Sequence, residues 1–143
     1  MELKIVIDKT KDEQITVFAH ERSALVESIE RLVLAENTRF VGYGERESRP
    51  LGLNEIYCFA TENGKVYALT EAEKLQVKSR LYLIEENLPP MFVKINQSCI
   101  ANTEKIKRFE ASVSGALKVT FKNGYTDYVS RRCLKNVKRR LGL

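Results

Sequence analysis

The sequence has little of what would mark an enzyme or a membrane protein. No apolar run approaches the roughly 18–20 residues that a bilayer crossing needs. The opening stretch Met1 to Asp8 alternates and then turns acidic, with no apolar leader core or small-residue cleavage site. A cytoplasmic protein is expected. The three cysteines, Cys58, Cys99 and Cys133, are odd in number, far apart and set among apolar neighbours. That is the pattern of buried reduced thiols, not of a disulfide frame or a zinc cluster. The single histidine, His20, has no evident partner for a Ser-His-Asp or Cys-His site. Gly42-Tyr43-Gly44 lacks the third glycine or the Lys-Ser/Thr that would make it a phosphate loop. Glu85 and Glu86 would diverge by about 100° on a helix, which does not suit joint acid–base work. These absences predict no catalytic residue, no metal, no cofactor and no small-molecule substrate: the protein is not expected to be an enzyme.

What is present is a globular composition with an uneven charge. The 143 residues are 43% hydrophobic and 30% charged, enough for one good core or one core with a small appendage. The net charge is +5, but residues 1–90 hold 12 basic and 16 acidic side chains, whereas residues 91–143 hold 12 basic and 3 acidic. Such asymmetry fits a polyanion-binding segment, and equally a basic surface kept for solubility.

Periodicity divides the chain near residues 37–40. Before that point, Leu3–Ile7 and Gln14–Ala19 alternate as strands, and Leu25, Val26, Ile29, Leu32 and Val33 recur at helical spacing after a Ser23 cap. The expected appendage is β-β-α over residues 1–37. Its apolar helix stripe could pack on its own strands or serve as a dimer or inhibitor contact. The larger part, residues 38–143, reads as mainly β within an α+β class. Its expected strands are Arg39–Tyr43, Ile56–Thr61, Lys65–Thr70, Phe92–Ile95, Cys99–Ala101, Ile106–Val113, Leu117–Lys122 and Thr126–Val129. Asn63-Gly64 and Asn123-Gly124 are strong hairpin signals. A helix is expected over Glu71–Leu88, stopped by Pro89-Pro90. A second is expected from a Ser130 cap through Arg131 to Leu141, ended by Gly142.

Two clusters have the chemistry to meet nucleic acid. The terminal helix carries Arg131, Arg132, Lys135, Lys138, Arg139 and Arg140. Near its C-terminus such cations complement the helix dipole; Arg131 and Arg132 at the N-terminus oppose it, which favours a functional reason. The stretch Lys94-Ile95-Asn96-Gln97-Ser98 ends a strand in polar residues. Asn and Gln can pair with adenine and Ser can take a phosphate, although such residues also bond their own backbone in turns.

Residues 38–143 resemble the LytTR DNA-binding domain of bacterial response regulators and small standalone regulators. The likeness rests on Phe92-Val93-Lys94-Ile95-Asn96-Gln97-Ser98-Cys99-Ile100-Ala101-Asn102, then Ile106, Lys122-Asn123-Gly124 and Val129-Ser130-Arg131-Arg132. The upstream hairpin Ile56 to Leu69 and the Leu88-Pro89 that closes the next helix add to it. The resemblance implies an elongated fold of three small sheets with few helices. It also implies a transcriptional regulator whose loops enter successive major grooves of double-stranded DNA, commonly at paired direct repeats. Base readers would be Gln97, Arg132 and the hairpin tip around Asn63, Gly64 and Lys65. Lys94, Asn96, Ser98, Ser130, Arg131 and Lys135 would complete the DNA-binding surface. Asn96 departs from the His or Ser common at its position. A homodimer would rest on the apolar stripe of the N-terminal helix, while a regulatory membrane-protein partner belongs to what the resemblance implies. Two other functions compete: an RNA-binding or ribosome-associated accessory protein, against which strand-spaced Tyr67, Tyr125 and Tyr128 argue, and an adaptor for an acidic protein.

Overall fold

A computed structural model describes residues 1–37 and 39–143, with the side chains of Ala35 and Asn37 also outside the description. The expected domain boundary at 37/38 involves Thr38 and lies outside the described residues. Among the described residues, ten strands and three α-helices make a mainly β protein. The order is α1 (Ala24–Asn37), β1 (Arg39–Tyr43), β2 (Ser48–Gly52), β3 (Cys58–Glu62), β4 (Lys65–Leu69), β5 (Lys74–Val77), α2 (Leu81–Glu86), β6 (Phe92–Asn96), β7 (Cys99–Asn102), β8 (Ile106–Ala111), β9 (Leu117–Phe121), β10 (Thr126–Val129) and α3 (Arg131–Leu141).

A seven-stranded sheet runs β2-β1-β5-β4-β3-β7-β6, and a three-stranded sheet runs β10-β9-β8. The expected three sheets are therefore two. The β1–β2 ribbon joins the larger sheet through a single pairing, Tyr43 with Gln76, and that one joint merges what would otherwise be separate. Strands β3, β6 and β7 are covered on both faces. Phe59, Phe92 and Ile100 enter a core with Leu51, Leu53, Ile56 and Leu75. Cys58, Val93, Ile95, Cys99 and Ala101 face Val119, Phe121, Val129 and Val137 of the smaller sheet and α3 in a second core. Burial on both faces gives these strands apolar neighbours on either side instead of clean alternation.

Two expectations fail here. The helix over 71–88 is a strand, β5, followed by the short helix α2. Leu75 and Val77 are buried while Lys74 is exposed and Gln76 half-exposed, so the period in this stretch is two rather than 3.6. Strand β2 has no counterpart among the expected strands; it holds Pro50 on an edge of the sheet, where a missing N–H is tolerated.

The second correction concerns the N-terminus. Residues 3–7 and 14–19 form no strand. A turn is built at Asp8 to Lys11, where the Asp8 carboxylate accepts the Thr10 N–H at 2.9 Å and the Lys11 N–H reaches the Asp8 carbonyl at 3.4 Å. The flanking segments do not zip on it, so α1 has no strands of its own to cover. Ser23 does cap α1, accepting the Val26 N–H at 3.3 Å. Val26, Ile29 and Val33 are half-buried, whereas Leu25 and Leu32 lie exposed.

Candidate nucleic-acid interface

Three pieces of chain converge on one end of the larger sheet. The first is the tip of the β3–β4 hairpin. Glu62 pairs with Lys65, which leaves Asn63 and Gly64 as a two-residue turn with φ of 52° and 77°. That is the geometry Asn-Gly provides with least strain. Asn63 and Lys65 are both exposed.

The second piece is the β6–β7 connection. The two strands pair Lys94 with Ile100 and then Asn96 with Cys99, a register shift that leaves Ile95 as the extra residue of a bulge. Bulges bend a strand and re-aim its side chains; this one lets Ile95 stay buried while Asn96 turns toward β10. Gln97 and Ser98 are exposed. The Ser98 carbonyl accepts the Thr61 N–H at 2.8 Å, which ties this loop to the hairpin beside it. Lys94 and Gln97 line one recess together with Tyr82 and Glu85 of α2.

The third piece is the junction of β10 with α3. The Ser130 N–H donates to the Ile95 carbonyl at 2.8 Å, and the Ser130 hydroxyl caps the helix by accepting the Cys133 N–H at 3.3 Å. Arg131, Arg132 and Lys135 follow, exposed and unpaired with any carboxylate among the described residues. Cations at this end oppose the helix dipole unless an anion joins them.

Asn96 is the hub of this end. Its amide nitrogen donates to the Asp127 carboxylate at 3.0 Å and to the Tyr128 carbonyl at 2.8 Å. Its amide oxygen accepts the Ser98 N–H at 2.8 Å. With both amide hydrogens engaged and its oxygen in use, Asn96 holds the loop to β10, whereas Gln97 beside it is exposed. Asp127 was missed by sequence reasoning. It also accepts the Tyr128 N–H at 2.7 Å and lies 3.4 Å from the Tyr125 hydroxyl. The signal was available: Asp127 is the one acid between residue 111 and the end of the chain. Burial, reinforced by Asp127, pushes the Tyr125 phenol well above its ordinary value. The Cys99 thiol is likewise raised, first by its hydrogen bond with Cys58 and then by burial. The terminal cations do not act alike. Arg140 turns away to donate to the Pro90 and Phe92 carbonyls, the latter at 3.0 Å, and Arg139 bonds Asn136 at 2.8 Å.

Residues 46–142 match the family model of the LytTr DNA-binding domain. The chain belongs to the LytTR DNA-binding domain family. It is 31% identical, over 146 aligned residues, to uncharacterised HTH-type transcriptional regulators of Staphylococcus aureus strains NCTC 8325, COL and N315. That alignment covers 100% of this chain and 99% of each relative. In structure this LytTR protein is similar to the LytTr DNA-binding domain of a protein described as a methyl-accepting/DNA response regulator of Bacillus cereus. The TM-score is 0.70 at 19% identity, over 75% of this chain and 99% of that one. The likeness shows the fold. The relatives' name speaks of a helix-turn-helix, yet among the described residues of this LytTR chain strands intervene between every two α-helices.

Proposed function

We propose that this LytTR protein is a sequence-specific double-stranded DNA-binding transcriptional regulator. The observation that carries the reading is the convergence of the Asn63–Lys65 tip, the Gln97-Ser98 loop and the capped start of α3 on one end of the sheet, joined by the Thr61–Ser98 and Ser130–Ile95 hydrogen bonds. Gln97 and Arg132 are the base readers, since both project long hydrogen-bonding side chains from exposed positions. Arg131, Lys135, Lys94, Ser98 and the hairpin tip hold phosphates, and Ser130 presents the helix start to them. Asn96 and Asp127 set the loop without touching a base. The comparisons lend nothing to an RNA target. Cytoplasmic residence goes with a DNA target; no described helix is long and apolar enough to cross a membrane. Paired direct repeats as the operator and a regulatory membrane-protein partner rest on the family resemblance alone.

Competition gel shifts with duplex DNA, RNA and heparin, after selection of bound duplexes from a random pool, test the reading. A selected duplex should resist competition by random duplex and by RNA. Equal competition by random RNA, with no duplex enriched, overturns it.

A further inference from the structure

We propose that Glu85 of α2 is a further base reader, accepting the amino group of a cytosine in the recess that it shares with Gln97. The inference rests on the DNA reading above and adds a residue to it. A cavity of about 200 Å³ lies between α2 and the β6–β7 connection, lined by Tyr82 and Glu85 from the helix and by Lys94 and Gln97 from the strand end and loop. Small-molecule sites take roughly 300–1,000 Å³, so this recess suits the edge of a base and not a whole ligand.

Three features set Glu85 apart from an ordinary solvated acid. It is exposed and forms no ion pair among the described residues, although Lys94 lines the same recess. Two neighbouring carboxylates are already occupied, Glu62 by Lys74 and Asp127 by the Asn96 amide. It also stands in the last turn of α2, where the carbonyl end of a helix disfavours negative charge. Its support is rigid: Ile84 beside it is buried in the first core, and Leu81 packs against that core. A carboxylate on a face that grips phosphates weakens binding to every duplex, so what it contributes is selectivity.

A carboxylate offers acceptors only, and that decides the base. On its major-groove edge cytosine presents an amino donor and no acceptor. Adenine sets the N7 acceptor beside its amino group, guanine presents N7 and O6, and thymine presents O4 and a methyl group. Each of those three turns a lone pair toward the carboxylate. Gln97, which carries both a donor and an acceptor, keeps an adjacent base. Lys94 between them and the phosphates offsets the charge of Glu85.

Selection of bound duplexes from a random pool, run with wild type, Glu85→Ala and Glu85→Gln, tests this. The wild type should fix cytosine at one position, at or beside the base pair that Gln97→Ala relaxes, by about tenfold over the other bases. Glu85→Ala should lose that preference alone and bind random duplex as well as wild type or better. Its retention of the rest of the selected sequence also shows that it is folded. Glu85→Gln should turn the position from cytosine toward adenine, because the amide adds a donor for N7. A Glu85→Ala selection identical to wild type makes Glu85 a solvated acid and overturns the proposal. So does a Glu85→Gln protein that still selects cytosine, or an affected position remote from the one that Gln97 reads. A wild type that enriches no duplex overturns the DNA reading itself, whereas an enriched duplex indifferent to Glu85 leaves that reading standing and removes Glu85 alone.

Discussion

Asn96→Ala separates a residue that reads DNA from one that holds the reader. The substitution removes three hydrogen bonds, to Asp127, Tyr128 and Ser98, at 3.0, 2.8 and 2.8 Å. At about 0.5–1.5 kcal/mol net each, the sum would reach roughly 1.5–4.5 kcal/mol. Asn96 is only half-buried, so water replaces part of what is lost, and a loss of about 1–2 kcal/mol of stability is expected. The functional loss should be of similar size: a loosened Gln97-Ser98 loop must be ordered again on binding, costing about tenfold or more in affinity for a selected duplex. Asp127→Ala supplies the decisive comparison, because its carboxylate faces Asn96 and Tyr125 in the fold. If Asn96 positions, Asp127→Ala should lower the ratio of specific to random affinity as Asn96→Ala does, and the double variant should be little worse than either single one. The ratio is the right readout, since deleting an acid from a basic surface raises affinity for any duplex. Fluorescence anisotropy with selected and random duplexes, alongside urea unfolding, measures both quantities. If Asp127→Ala preserves the specificity ratio while Asn96→Ala abolishes it, Asn96 touches the base itself and the positioning role is wrong.

The remaining predictions are smaller. Arg132→Ala and Gln97→Ala should each cost about 1–3 kcal/mol against the selected duplex and relax discrimination at one base position, read by binding-site selection. Arg131→Ala or Lys135→Ala should weaken all duplexes alike and flatten the salt dependence by about one unit of slope. Gly42→Val should destabilise by about 1–3 kcal/mol in thermal unfolding. A Cβ there would lie 2.7 Å from Leu51 Cδ1 and 2.9 Å from the Cβ of Leu75, so the small residue serves a close approach of β1 to the core. A thiol reagent should modify half-buried Cys133 first and leave buried Cys58 and Cys99 untouched until unfolding. Tyr125 and Cys99 are raised in the folded chain and ordinary in the unfolded one. Their neutral forms therefore favour folding below the ordinary values, and stability should fall as pH climbs past about 8.5 for the thiol and about 10 for the phenol. Alkaline stability equal to that at neutral pH would refute it.

Much of the candidate interface's local geometry was legible because its parts are fixed locally. Asn63-Gly64 and Asn123-Gly124 demand tight turns, and Ser130 before a basic amphipathic run demands a helix start. Those signals do not depend on distant contacts. Between 71 and 88 local signals misled: the charged, leucine-bearing stretch is compatible with a helix, and only pairing with β4 makes Lys74–Val77 a strand. The N-terminal stretches 3–7 and 14–19 misled in the opposite direction, since alternation predicts strands but does not supply the edge on which they form. Asp127 escaped notice because its importance is geometric. Nothing in the run Thr126-Asp127-Tyr128 announces that Asn96, 31 residues earlier, turns its amide toward it.

The two fastenings of α3 have a mechanical consequence. At its start Ser130 is bonded to Ile95 near the end of β6, and at its finish Arg140 is bonded to Pro90 and Phe92 where β6 begins. Helix and strand thus form a splint, held at both ends and filled between by Val137 and Ile95. The loop that follows β6 and the arginines that open α3 cannot change spacing independently. On the proposed DNA reading, a duplex would have to conform to a stiff template. Such a template would favour sequences whose steps bend or widen easily, even at base pairs that no side chain touches.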